Sequence, residues 1–217
     1  DLVFLHNAPQ DSRTTGKRTL DATQFYIKLA QRIMHLLNTK TLSGQLYETD
    51  LRLRPSGNAG LLSCHLNGFR KYQQEDAWTW EHQALVRARA ITGDAAVIES
   101  FEDIRRTILA KSRDTGALAK DVTEMRVKMR EHLLKDNAEG LDLKQCSGGI
   151  TDIEFMAQFW VLGYASQHPG LMDFPDNLRI IEQTGKAGLI TEDTASQLQE
   201  AYLDLRDRYH QLTLADH

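Results

Sequence analysis

The sequence predicts an α+β protein, predominantly helical overall, in which a small mixed-sheet unit over residues 1–112 is followed by an all-helical bundle over residues 113–217. Three observations predict it. Short apolar runs of strand character are confined to the stretch before Gly68. Gly-, Ser- and Pro-containing turns separate those runs, and beyond Gly68 almost every segment repeats its apolar residues at intervals of three and four.

Composition narrows the function. The chain has 217 residues with 41% hydrophobic and 26% charged, the proportions of an ordinary soluble globular protein. A net charge of -4 supplies no overall basic field, so neither nucleic acid nor an anionic membrane is an expected partner. Cys64 and Cys146 are far apart and lack metal-ligand spacing, which disfavours a disulfide framework or a zinc site and points to the cytoplasm. No apolar run approaches a membrane span. The chain opens directly on the apolar run "DLVFLH", as expected of a fragment of a longer polypeptide.

Residues 1–6 read as a short buried strand, and "NAPQDSRTTGKR" as a surface loop. A helix follows over about 21–38, with Asp21 at its start and a stripe of Phe25, Leu29, Ile33 and Leu36 or Leu37. "YETDLRLR" (47–54) and "LLSCHL" (61–66), joined by "PSGNAG", read as a hairpin. Helices are then expected over about 67–76, 78–92 and 94–110, with a linker at Arg113–Gly116. Beyond it, Leu118, Val122, Met125, Met129 and Leu133 mark a long amphipathic helix. A loop containing Gly140 and Gly148-Gly149 precedes a helix over about 151–165. The last helix, about 192–213, carries Ala195, Leu198, Tyr202, Leu205, Tyr209 and Leu212 in heptad spacing.

Three segments carry chemistry. In a strand over 47–54, Glu48, Asp50, Arg52 and Arg54 share one face. That pattern has a plain reading, a solvated sheet face with acids paired to bases. It also has a functional one: Asp50 with Asp1 on the neighbouring strand forms a carboxylate pair suited to a magnesium–nucleotide complex, and Arg52 and Arg54 neutralise the triphosphate. In "AWTWEHQALVRAR" (77–89), Glu81 and Arg89 fall on one side of a helix and Arg87 on another row, which packing alone can explain. In "GGITDIEF" (148–155), Thr151 and Glu154 have capping-box spacing, while Asp152 has no assigned role.

Together these segments resemble bacterial glutamine synthetase adenylyltransferase (glutamate-ammonia-ligase adenylyltransferase). The matching stretches are "DLVFLHNAP", "QFYIKLAQRIMHLL", "YETDLRLRPSGNAGLL", "AWTWEHQALVRARAITGD" and "GGITDIEF", spread along nearly the whole chain. The resemblance implies a nucleotidyltransferase-like (polymerase-beta-like) first domain and a helical second one. It also implies ATP as substrate, Mg²⁺ or Mn²⁺ as cofactor, glutamine synthetase as protein substrate, and the P-II signalling protein and glutamine as regulators. Such enzymes are similar to a tandem of two units, one attaching AMP to a tyrosine of glutamine synthetase and one removing it by phosphorolysis. The "RPSG", "TWEHQALVRAR" and "GGITDIEF" forms resemble the C-terminal, adenylylating unit. The alternatives are the AMP-removing unit, or a non-catalytic regulatory module with a decayed nucleotidyltransferase fold.

Residue by residue, the resemblance makes Asp1 the second acid of the family's Asp-x-Asp pair and Asp50 the third, both metal ligands. The first acid and the Gly-rich turn have no counterpart in this sequence, so the fragment itself is expected to bind metal weakly. Asp1, Asp50 and Arg52 are the implied catalytic residues; Arg54, Ser56, Glu81, Arg87 and Arg89 are the implied nucleotide- or phosphate-binding ones.

Overall fold

The computed structural model describes residues 1–134 and 142–215. Its elements run β1 (Phe4–His6), α1 (Ala22–Asn38), β2 (Lys40–Thr41), β3 (Gly44–Gln45), β4 (Ser63–His65), α2 (Leu66–Glu75), α3 (Thr79–Arg87), α4 (Ala95–Leu109), α5 (Thr115–Leu133), α6 (Ile150–Tyr164), α7 (Asn177–Lys186) and α8 (Glu192–Ala215). The chain divides into two compact units, one of residues 1–77 and 90–104, the other of residues 78–89 and 105–217. The fold class is that predicted, α+β and mostly helix. Residues 78–89, however, side with the helical unit, although they precede the expected boundary at 112.

In the first unit β1 and β4 pair in parallel, Phe4 opposite Ser63 and His6 opposite His65. Asp21 starts α1 by accepting from the Gln24 N–H at 2.8 Å. The apolar stripe of α1 differs from the predicted one. Ala30 is buried and the His6 ring stacks on Tyr26 at 4.6 Å, so the helix turns that side inward and leaves Phe25, Leu29 and Leu36 exposed. β2 and β3 form a short antiparallel pair.

The hairpin expected over 47–66 does not form. Residues 47–50 form no strand, and the Asp50 carboxylate accepts the Arg52 N–H at 2.7 Å, a local turn that ends any ladder. The backbone then coils, with the Gly57 N–H donating to the Arg54 carbonyl at 2.8 Å. At Gly60 a Cβ would lie 1.9 Å from the Pro55 carbonyl oxygen, so only glycine closes this coil. The strand that follows, β4, takes β1 as its partner instead.

In the helical unit Ile150, Ile153, Ile181, Ala195 and Tyr202 form a core on which Leu198, Leu205 and Tyr209 pack. The predicted stripe of α8 thus faces inward as far as Tyr209, and Leu212 is exposed. α7 was not anticipated from the sequence. Its signal is Asp176, whose carboxylate accepts the Arg179 N–H at 3.0 Å, followed by Leu178 and Ile181 one turn apart. α3 ends at Arg87 rather than near Gly93, because buried Arg105 reaches the Leu85, Val86 and Met172 carbonyls at 3.1, 2.8 and 3.1 Å. Gly140 lies outside the described residues, and no helix among those described is long and apolar enough to cross a membrane.

Candidate active site

Contacts from three residues, Leu2, Asn38 and Arg52, position Asp50. The Leu2 N–H donates to the Asp50 carbonyl at 2.8 Å, which brings the residue after Asp1 beside it. One residue earlier, Thr49 is pinned to the end of α1: its hydroxyl accepts from Asn38 Nδ2 at 2.7 Å, and its N–H donates to Asn38 Oδ1 at 3.2 Å. Arg52 then takes the carboxylate, its N–H on Oδ1 and its Nε on Oδ2 at 2.6 Å, with Nη2 on Oδ2 at 2.5 Å. These Arg52 hydrogen bonds hold the Asp50 carboxyl below its ordinary pKa.

Arg54 has a different environment from Arg52. The Arg52 side chain is 74% exposed, whereas Arg54 is 8% exposed and donates to the Leu51, Asn58 and Gly60 carbonyls at 2.8, 3.3 and 3.2 Å. It is the hub of the coil, so the four charges of 48–54 do not share one solvated face. Ser56, exposed on the same coil, holds the left-handed conformation at φ 61°. An open cleft of about 540 Å³ is lined by Asp50, Arg54, Glu48, Thr49, Asn58 and Met34. That volume falls within the about 300–1,000 Å³ of small-ligand sites. A second cleft in this unit, about 860 Å³, lies beyond the ends of β1 and β4 beside His6 and His65 and contains none of the predicted residues.

The donor set at Asp50 fits a metal ion in part. Among the described residues no group of three or more His, Cys, Asp or Glu is arranged to hold one. The Leu2 N–H on the Asp50 carbonyl brings the backbone beside Asp1 next to Asp50, and one or two carboxylates are the kind of protein ligand that Mg²⁺ uses when phosphates and water complete its shell.

The remaining predicted residues belong to the helical unit. Glu81 is buried and accepts the Trp78 N–H at 2.9 Å, closing the start of α3. Arg87 pairs with Glu154 at 2.8 Å. Arg89 is exposed, just past the end of α3.

The capping box expected of Thr151 and Glu154 is not made. Gly149 caps α6, where a Cβ would meet the Leu143 carbonyl oxygen at 2.7 Å, and Thr151 is buried in the first turn. Asp152 does the work at this helix start, accepting from the Gly148 N–H at 2.7 Å and from buried Arg126 at 2.6 Å. Sequence reasoning missed Asn38 and Arg126. An Asn ending a helix reads as an ordinary terminus, and an Arg on an amphipathic helix reads as solvent-facing.

Comparison with known proteins agrees with these motifs. A family model described as "Glutamate-ammonia ligase adenylyltransferase" matches residues 1–104, and one described as "GlnD PII-uridylyltransferase" matches residues 119–217. The chain is 66% identical over 216 residues to the "Bifunctional glutamine synthetase adenylyltransferase/adenylyl-removing enzyme" of Alteromonas mediterranea (strain DSM 17117 / CIP 110805 / LMG 28347 / Deep ecotype). That alignment covers all of this chain and 22% of the relative's length. With the family's stretches present from "DLVFLH" through "GGITDIEF", the chain belongs to the glutamine synthetase adenylyltransferase family.

Proposed function

We propose that this chain forms part of the adenylylating unit, which transfers AMP from ATP to a tyrosine hydroxyl of glutamine synthetase. The observation that carries the reading is the placement of Asp50: a carboxylate held rigidly at an open cleft, with the chain after Asp1 bonded to its backbone and an exposed arginine on its oxygens. The "RPSG", "TWEHQALVRAR" and "GGITDIEF" forms favour attachment of AMP over its removal.

Asp1 and Asp50 would hold Mg²⁺ or Mn²⁺, which when bound neutralises charge on the triphosphate. Asp50 accepts hydrogen bonds at the cleft and is suited to orient the incoming hydroxyl. Arg52 supplies a mobile positive charge for the phosphoryl oxygens as pyrophosphate departs. Arg54 acts through the backbone, fixing the coil that carries Asp50, Arg52 and Ser56. P-II protein and glutamine fit the reading as regulators, and the cytoplasm as its setting.

The test is to incubate the parent protein that contains this chain with glutamine synthetase, ATP and Mg²⁺ and to weigh the target intact. A gain of one AMP that disappears in Asp50→Asn is expected. Loss of AMP from pre-adenylylated target on adding phosphate, with no gain from ATP, would assign the chain to the removing unit. Equal transfer in wild type and Asp50→Asn would remove Asp50 from the reaction.

A further inference from the structure

We propose that Arg52 is a displaceable guard on Asp50: its guanidinium occupies the carboxylate while the cleft is empty, and a metal–nucleotide complex binds by driving it off. The inference rests on the reading of Asp50 as a metal-holding acid, and adds to it a step in binding.

Three donors of one residue sit on that carboxylate, the Arg52 N–H on Oδ1 and Nε and Nη2 on Oδ2. A carboxylate offers about four acceptor positions, so little of Asp50 is left for a cation while Arg52 stays. The three contacts differ in permanence. The N–H bond belongs to the backbone turn and remains when the side chain swings away, so Asp50 keeps its orientation and Oδ2 alone is released.

The two arginines of "LRLR" divide the labour. Arg54 is locked beneath three carbonyls and cannot leave without opening the coil. The Arg52 side chain is 74% exposed, and its guanidinium is bonded to the Asp50 carboxylate. Exposed ion pairs are weak, so a divalent ion can displace this one. A bare ion must expel the guanidinium without offering it a new partner. A nucleotide-bound ion brings phosphates to receive it, which favours metal and nucleotide arriving together.

Mn²⁺ alone is the probe, with free ion counted by electron paramagnetic resonance during titration of wild type, Arg52→Gln, Asp50→Asn and the double variant. Arg52→Gln is expected to bind Mn²⁺ about twofold to fivefold more tightly than wild type, the range for losing one screened competitor. Asp50→Asn is expected to abolish that binding in both backgrounds. A gain in affinity is not something a misfolded variant produces. If Arg52→Gln binds Mn²⁺ no better than wild type while Asp50→Asn still abolishes binding, the guard is overturned and the metal reading stands. If no Asp50-dependent binding occurs in either protein, both are overturned.

Discussion

Arg87 and Glu154 lie 67 residues apart in sequence and meet at 2.8 Å, joining the "TWEHQALVRAR" helix to the "GGITDIEF" helix inside one unit. Glu154 also accepts from the Tyr202 hydroxyl at 3.0 Å and from Asn177 Nδ2 at 3.3 Å. One carboxylate therefore ties α3, α6, α7 and α8 together.

We predict that a double-mutant cycle of Arg87→Ala and Glu154→Ala gives a coupling of about 1 kcal/mol, limited by the exposure of Arg87. Chemical denaturation of the four proteins measures it. Additive costs would show that the pair contributes no energy of its own.

Tyr202 reports the same carboxylate. Burial raises its phenol above the ordinary value, and the negative charge of Glu154 raises it further. Glu154→Gln removes that charge, so spectrophotometric titration should find the phenol ionising at lower pH than in wild type. An unchanged midpoint would leave burial as the whole cause.

Arg54→Lys should destabilise the protein by about 2 kcal/mol, since one ammonium cannot serve three carbonyls spread over the coil. Thermal or urea unfolding reads the cost. A full rescue by lysine would show that charge, and not the planar fork, holds the coil.

His6 gives a pH dependence of defined sign. Burial, with a smaller contribution from His65, lowers its pKa, so below about pH 6.5 the unfolded chain binds a proton that the folded chain resists. Stability should fall as pH drops through that value and level off below the folded pKa. The fall should be smaller in His6→Phe, which keeps a ring against Tyr26 but cannot titrate. Urea midpoints at about pH 7.5 and 5.5 compare the two; parallel losses would exclude His6.

Much of the helical architecture was legible because it rests on local signals: Asp21 caps the helix that follows it, Leu118 and Val122 lie one turn apart on α5, and Ala195 and Tyr202 lie a heptad apart on α8, whereas Asp114 caps α5 inside the stretch expected to be a linker. The coil after Asp50 was not legible. Alternation in "YETDLRLR" is a strand signal, and what overrides it is a side-chain turn at Asp50 together with a buried arginine two residues past Arg52. The same limit applied to α3. Its start could be read, but its end is set by Arg105, and nothing in the local sequence marks that arginine as buried. At the site, the identity of Asp50 came from the motif. The difference between exposed Arg52 and buried Arg54 shows only in the folded structure.

The attachment of residues 78–89 to the helical unit has a consequence for biosynthesis. The first unit has both partners of its parallel pair as soon as Ser63–His65 has emerged from the ribosome. α3 emerges soon afterwards but must wait for α6, which brings the Gln158 that meets Gln83 and the Glu154 that meets Arg87. During that interval Leu85 and Val86, both buried in the folded unit, lack the α6 side of it. A pause between residues 105 and 150 would therefore leave α3 without its α6 partner, and nascent chains stalled there are where holding chaperones should crowd.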